Sequence, residues 1–286
     1  MNDDLVGHNA PGDTSRRVFI SGAIAAGFAL AVRPVAATTI DTDDGGLAAG
    51  SVQIPVEGGA MLPAYRAAPE RTKGPLPTVI VVQEIFGVHE HIQAVCRRLA
   101  KSGYLAIAPE LYFRQGDPRN YPEVDQLMKL VMSVPDAQVL SDLDATVAWA
   151  ARNGGDARHT AITGFCWGGR IVWLYAARNP SLKAAVAWYG RLGGTASANT
   201  PKQPLDVAAE VRVPVLGLYG GQDKGISAES IAQMRTALKA AKAQTEIIVY
   251  PDAGHGFNAD YRPSYNEAAA RDGWQKMLSW FKQHGV

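Results

Sequence analysis

The segment Gly164-Phe165-Cys166-Trp167-Gly168 constrains this chain more than any other. Glycines two residues either side of a cysteine, between an apolar run and a helical run, specify a strand that turns sharply into a helix with a nucleophile at the turn. His159-Thr160-Ala161-Ile162-Thr163 predicts the strand, and Arg170 to Ala177 predicts the helix. Side chains at 164 and 168 would strike the neighbouring strand and helix, so both positions need glycine. The helix N-terminus then faces the sulfur, where its free N–H groups and dipole favour thiolate over thiol. The N–H of Trp167 is placed to donate to an oxyanion. Read alone, the pentapeptide also fits a glycine-rich turn carrying a buried, inert cysteine, so the rest of the chain has to decide.

A nucleophile at such a turn needs an acid and then a base, in that chain order. Val213 to Tyr219 is an apolar strand ending in Gly220-Gly221-Gln222-Asp223, and Thr245 to Tyr250 is a strand followed by Pro251-Asp252-Ala253-Gly254-His255-Gly256-Phe257. These spacings nominate Cys166 as nucleophile, His255 as base and Asp223 as the acid that orients the imidazole. Asp252 competes with Asp223 for that role, but a Pro-Asp pair three residues before the histidine favours a turn residue.

With these segments in place, the chain resembles the dienelactone hydrolase (carboxymethylenebutenolidase) family over roughly residues 50–286. The matching pieces are Val82-Gln83-Glu84-Ile85-Phe86-Gly87, Ala108-Pro109-Glu110-Leu111-Tyr112-Phe113-Arg114, the Cys166 pentapeptide with Gly169, Trp188-Tyr189-Gly190, Gly220-Gly221-Gln222-Asp223 and Gly254-His255-Gly256-Phe257. The resemblance implies an α/β-hydrolase fold and a hydrolase of carboxylic esters or lactones, working through a thiol ester without a cofactor. It also implies that Glu84 contacts the nucleophilic thiol, that the Ile85 N–H is a second oxyanion donor, and that Arg114 binds a substrate carboxylate. On residues alone, Glu84 could equally be a solvated loop carboxylate, but the apolar run Val79 to Val82 leading into it predicts partial burial and a perturbed pKa. The chain departs from the family in one place. A second carboxylate-binding arginine is expected four residues after the histidine, where this chain has Ala259, and Arg262 lies three residues later. The residue after the histidine, often serine in the family, is Gly256. Tyr112, Tyr189, Trp167 and Phe257 are candidate apolar walls, each of which could equally be core. Other uses of the same residues remain open: an acyltransferase or thioesterase, a non-catalytic ligand-binding relative, or a redox-sensing thiol.

The rest of the chain narrows the setting. A net charge of +1 with no long run of one sign argues against a nucleic-acid partner. Of the two cysteines, Cys96 falls in a predicted helix from His89 to Ser102, beside Val95 and Leu99, and reads as a packed core thiol. No metal-ligand spacing appears, and His89-Glu90-His91 reads as a surface cluster at a helix start. Ser15-Arg16-Arg17-Val18-Phe19-Ile20 and the small apolar stretch Ser21 to Val32 resemble a twin-arginine export signal, with cleavage expected after Ala37. That implies contact with the twin-arginine export machinery, a periplasmic or secreted location, and no stable membrane anchor once cleaved; a retained anchor is the alternative. Residues 38–50 are then expected to be a flexible start to a single domain over 51–286. Ser51–Val56 and Met61–Ala67 read as two edge strands, and strands alternating with helices thereafter predict a mostly parallel sheet covered on both faces. In that architecture the strand ends carrying Glu84, Cys166, Asp223 and His255 share one edge and surround one crevice, for which the resemblance implies a small ester or lactone as substrate.

Overall fold

The computed structural model describes residue 40 and residues 42–286. The expected export signal and its cleavage site lie outside these residues. Eight strands form one sheet: β1 (Leu47–Pro55), β2 (Met61–Pro69), β3 (Leu76–Val82), β4 (Leu105–Pro109), β5 (Gly155–Phe165), β6 (Ala184–Trp188), β7 (Val215–Gly220) and β8 (Thr245–Tyr250). Their order across the sheet is β1-β2-β4-β3-β5-β6-β7-β8. β1, β2 and β4 pair antiparallel, and β4 through β8 run parallel. This is the α/β-hydrolase sheet, with helices covering it. The central strands are apolar on both faces because helices lie on each: Val79 to Val82 and Ala184 to Trp188 are all buried.

The helices are α1 (Glu90–Lys101), α2 (Val124–Ser133), α3 (Asp136–Arg152), α4 (Trp167–Arg178), α5 (Ala228–Ala240) and α6 (Glu267–Gln283). Among the described residues no helix is long and apolar enough to cross a membrane. Asn266 caps α6 by accepting from the Ala269 N–H at 3.0 Å, so the helix begins three residues later than Ser264, where its apolar pattern starts. The loop 190–212 holds only a short 3-10 turn, Pro204–Glu210. It is tied to the helices through buried Arg170, which donates to Gln203 at 2.9 Å, to the Lys202 carbonyl at 2.8 Å and to both oxygens of Asp136 at 2.8 and 2.7 Å.

Three expectations are corrected. β5 starts at Gly155, four residues before the predicted strand, because Asp156 and Arg158 are charged and the single Ala157 between them gives no strand signal. β1 starts at Leu47, so the end of the supposed flexible start is strand; Thr42 and Asp43 are also engaged, by Arg97 Nε at 2.5 Å and Lys101 Nζ at 2.8 Å. Finally, of the two strands expected at the edge only β1 lies there: β2 is between β1 and β4.

Candidate active site

The turn at Cys166 is as sharp as its glycines require. Cys166 has φ 56° and ψ −115°, a left-handed backbone on a non-glycine residue, worth about 1–3 kcal/mol of strain that the surroundings must hold. A Cβ at Gly164 would lie 2.6 Å from the Gly168 carbonyl oxygen, and one at Gly168 would lie 2.4 Å from the Gln83 carbonyl oxygen. One at Gly169 would be 2.4 Å from the Trp188 carbonyl oxygen. The helix after the turn therefore starts on two glycines, at Trp167, three residues earlier than residue propensity indicates. The turn is fixed to the next strand by Cys166 N–H donating to the Trp188 carbonyl at 3.0 Å.

β7 and β8 bring the other two groups. The loops after these strands touch at Gly220, where a Cβ would lie 2.4 Å from the Ala253 carbonyl oxygen. Their approach sets His255 Nδ1 2.7 Å from Asp223 Oδ2 and His255 Nε2 3.1 Å from Cys166 Sγ. Asp223 is itself held by the Gly225 N–H, which donates to its Oδ1 at 2.8 Å. Asp252 is an exposed turn residue, and it is Asp223 that bonds His255. Burial works against a charged imidazole at 255, but Cys166 and Asp223 outweigh it and raise the pKa of His255 to about 10. At neutral pH the ring is protonated and donates to Asp223 and to the sulfur. All three groups are buried, so their mutual interactions are little screened by water.

The two expected oxyanion donors sit at the start of a turn and of a helix: Ile85 just past the end of β3, and Trp167 next to Cys166. Ile85 follows Glu84 in a turn closed by Gly87 N–H on the Glu84 carbonyl at 3.4 Å. Trp167 is the first residue of α4, whose opening N–H groups have no acceptor within the helix. Tyr112 packs edge-on against Trp167 with ring centroids 4.8 Å apart, and Tyr189 packs edge-on against His255 at 5.3 Å. Both hydroxyls are buried; among the described residues that of Tyr189 and Arg262 Nη1 have no hydrogen-bond partner, while that of Tyr112 faces Gln83. Such groups are costly to leave unmade.

Four expectations need correction. Glu84 is fully buried, but its partners are Tyr261, whose hydroxyl donates to Oε2 at 2.5 Å, and Arg262, whose Nη2 donates to Oε1 at 3.3 Å, rather than the thiol. Burial alone would raise the Glu84 pKa; Arg262, His91, His89 and the Tyr261 hydroxyl together bring it below the ordinary value. Arg114 is not presented as a free cation: it makes two bonds to buried Asp142 on α3, at 2.6 and 3.0 Å, and its guanidinium lies over the Phe113 ring. A buried carboxylate demands such a partner. Phe257 turns inward after Gly256 and packs on Trp188, Tyr189 and Tyr250, one layer behind the sulfur. His89 and His91 are not a surface cluster. His91 is buried with Nδ1 3.0 Å from Asp260 Oδ1, and His89 Nε2 lies 3.7 Å from Glu84 Oε2. Among the described residues no group of three or more His, Cys, Asp or Glu is gathered as a metal site would be.

Comparison with known proteins agrees with this architecture. Residues 62–285 match the model of the dienelactone hydrolase family. A protein of Escherichia coli K12 with the provisional name carboxymethylenebutenolidase is 63% identical over 260 residues, spanning 91% of this chain and 96% of that protein. A relative of the same provisional name from Methylorubrum extorquens is 59% identical over 275 residues, 95% of this chain and 94% of its own. The crystal structure of a provisionally named dienelactone hydrolase from Klebsiella pneumoniae superposes with a TM-score of 0.82 at 63% identity, covering 83% of this chain and 99% of that one. With the elbow, the sheet order and the matched span in agreement, the chain belongs to the dienelactone hydrolase family of hydrolases.

Proposed function

We propose that the protein hydrolyses carboxylic esters or lactones through a thiol ester on Cys166. The observation that carries this reading is the Cys166–His255–Asp223 line, with the sulfur on a strained turn at a helix N-terminus and 3.1 Å from a protonated imidazole. The thiolate attacks the acyl carbon, and the Ile85 and Trp167 N–H groups receive the oxyanion. His255 delivers its Nε2 proton to the departing oxygen, so the alcohol or opened lactone hydroxyl leaves neutral. A water molecule, deprotonated by His255, then cleaves the thiol ester and regenerates the sulfur.

Arg114 and Arg262 are each already bound to a buried carboxylate, Asp142 and Glu84. The phenol of Tyr189, unpaired among the described residues, favours a neutral oxygen acceptor. The substrate class best fitted is therefore an uncharged lactone or aryl ester, with dienelactone as a competitor. The leader carries the protein to the periplasm by the twin-arginine route, so that the substrate is met there; a mature protein starting at Thr38 in the periplasmic fraction is the expected outcome.

The test is hydrolysis of dienelactone and of a short-chain aryl ester by wild type and Cys166→Ala. Wild type should turn over both, the aryl ester at least as well, and Cys166→Ala should lose on the order of 10⁴-fold or more in kcat. Equal activity of the variant would remove Cys166 from the mechanism, and a strong preference for dienelactone would overturn the substrate class.

A further inference from the structure

Glu84 is a fully buried carboxylate just past the end of β3, and what holds it is the loop that follows His255 in the chain. Residues 260–262 supply three consecutive polar groups to this part of the fold. Tyr261 Oη donates to Glu84 Oε2 at 2.5 Å and accepts from Arg262 Nε at 3.1 Å, while Arg262 Nη2 reaches Glu84 Oε1 at 3.3 Å. The hydroxyl thus closes a triangle in which each Glu84 oxygen has a separate donor. The Tyr261 ring is wedged among three others: His89 at 5.1 Å, His91 at 5.3 Å and Phe86 at 6.5 Å between centroids. His91 is braced in turn by Asp260, whose other oxygen accepts from the Ile40 N–H at 2.7 Å.

We infer that Tyr261 is a positioning residue for Glu84: its hydroxyl, bridging Arg262 and Glu84, fixes the ionisation and orientation of that carboxylate, with His91 and Asp260 bracing the ring. The inference rests on the proposed thiol chemistry for its functional meaning, but not for its test. The charged and titratable groups around Glu84 are His89 and His91 from the start of α1, Tyr261 and Arg262 from the loop before α6 with Asp260 behind His91, Tyr189 after β6 and Tyr112 after β4; Cys166 from the elbow acts on Arg262 and on both of these tyrosines. Of these, Tyr261 and Arg262 alone bond the carboxylate; His89 at 3.7 Å is the nearest other. Deleting the hydroxyl leaves Oε2 buried with no donor at hydrogen-bond distance. A carboxylate stripped of a bond to its charged form takes up a proton more readily. When it does, Arg262, whose charge Cys166 also feels, is left as an unpaired cation, so the change at Glu84 reaches the sulfur through Arg262.

The experiment follows the Glu84 side-chain carboxyl by ¹³C NMR against pH, in wild type and in Tyr261→Phe, the signal being assigned by its loss in Glu84→Gln. Iodoacetamide alkylation of Cys166 is measured over the same pH range. Tyr261→Phe should move the Glu84 titration upward by about one pH unit or more, a tenfold gain in proton affinity. The alkylation profile should gain an inflection at the same pH, absent from wild type and abolished in the Tyr261→Phe/Glu84→Gln double variant. Tyr261→Leu, which also deletes the hydroxyl, must reproduce the shift, and serves alone if the phenylalanine variant does not fold. An unmoved Glu84 titration, or an inflection that survives Glu84→Gln, overturns the inference. Neither readout uses substrate, so a protein that fails to hydrolyse esters would sink the proposed function while leaving Tyr261 to be judged on its own.

Discussion

The chain carries two cysteines, both buried, in opposite situations. Cys96 lies in the middle of α1, fully inaccessible, on a helix face that packs against the sheet. Burial pushes its thiol pKa well up, and the neighbouring Arg97 does little to offset that. Cys166 is 3% exposed, almost as enclosed, yet a protonated imidazole stands 3.1 Å from its sulfur and a helix begins at the next residue. Burial alone makes a thiol inert. Burial with a cation and a helix N-terminus can turn it into a nucleophile, because the same low dielectric that penalises an isolated charge strengthens a paired one. The difference lies in the backbone: an ordinary helical residue at 96 and a left-handed turn at 166.

The sharpest way to break this contrast is to remove what orients the imidazole. Asp223→Asn keeps the shape but no longer favours the protonated ring, and kcat for ester hydrolysis should fall by on the order of 10⁴-fold. The same change should pull down the alkaline limb of the rate profile. In wild type the leaving-group proton is lost as pH rises through about 10, the value to which Cys166 and Asp223 lift His255 against burial. The stability that the protonated ring contributes follows the same sign: present in full below pH 6.5, its unperturbed value, and lost as pH rises through about 10. A wild-type limb centred near pH 7, or an Asp223→Asn variant within tenfold of wild type, would show that the His255 proton is not held by these partners.

A smaller effect separates the thiols directly. Iodoacetamide at neutral pH should label Cys166 and leave Cys96 untouched until the protein opens, with a rate ratio on the order of 10³ or more. Mass spectrometry of digested, labelled protein reads both sites at once. Comparable labelling of the two would mean that the elbow confers no special reactivity.

These contrasts also mark what could be read from residues alone. The elbow, its strand and the loops carrying Asp223 and His255 were legible because each leaves a local mark: a glycine where no Cβ fits, or a polar residue at the end of an apolar run. The surroundings of Glu84 were not. They are built from His89 and His91 at one helix start and from Asp260, Tyr261 and Arg262 more than a hundred and fifty residues later, and neither stretch has a periodicity that announces inward-facing polar groups. One clue was present. Gly256 stands where the family often has serine, and a Cβ there would lie 3.1 Å from Arg262 Nη1. The small residue after the histidine and the displaced arginine are two sides of one packing arrangement. Arg114 misled for a related reason: its partner Asp142 belongs to a helix whose sequence pattern does not tell which of its carboxylates faces inward. The start of β1 was missed because Ala48, Ala49 and Gly50 have weak strand preference and are held by the β2 register alone.

The mildest test concerns Cys96. If its sulfur only fills space between α1 and the sheet, Cys96→Ala removes one buried heavy atom and leaves a small void, costing about 1–2 kcal/mol. For a domain of this size that lowers the melting temperature by roughly 2–8 °C. Hydrolysis per folded molecule should be unchanged, since α1 reaches the site through His89 and His91 at its start, more than a turn from Cys96. Thermal unfolding and ester turnover on the same preparation check both halves. A Cys96→Ala protein that melts like wild type but loses activity would make Cys96 part of the chemistry, and the contrast between an inert and a reactive buried thiol would no longer describe this molecule.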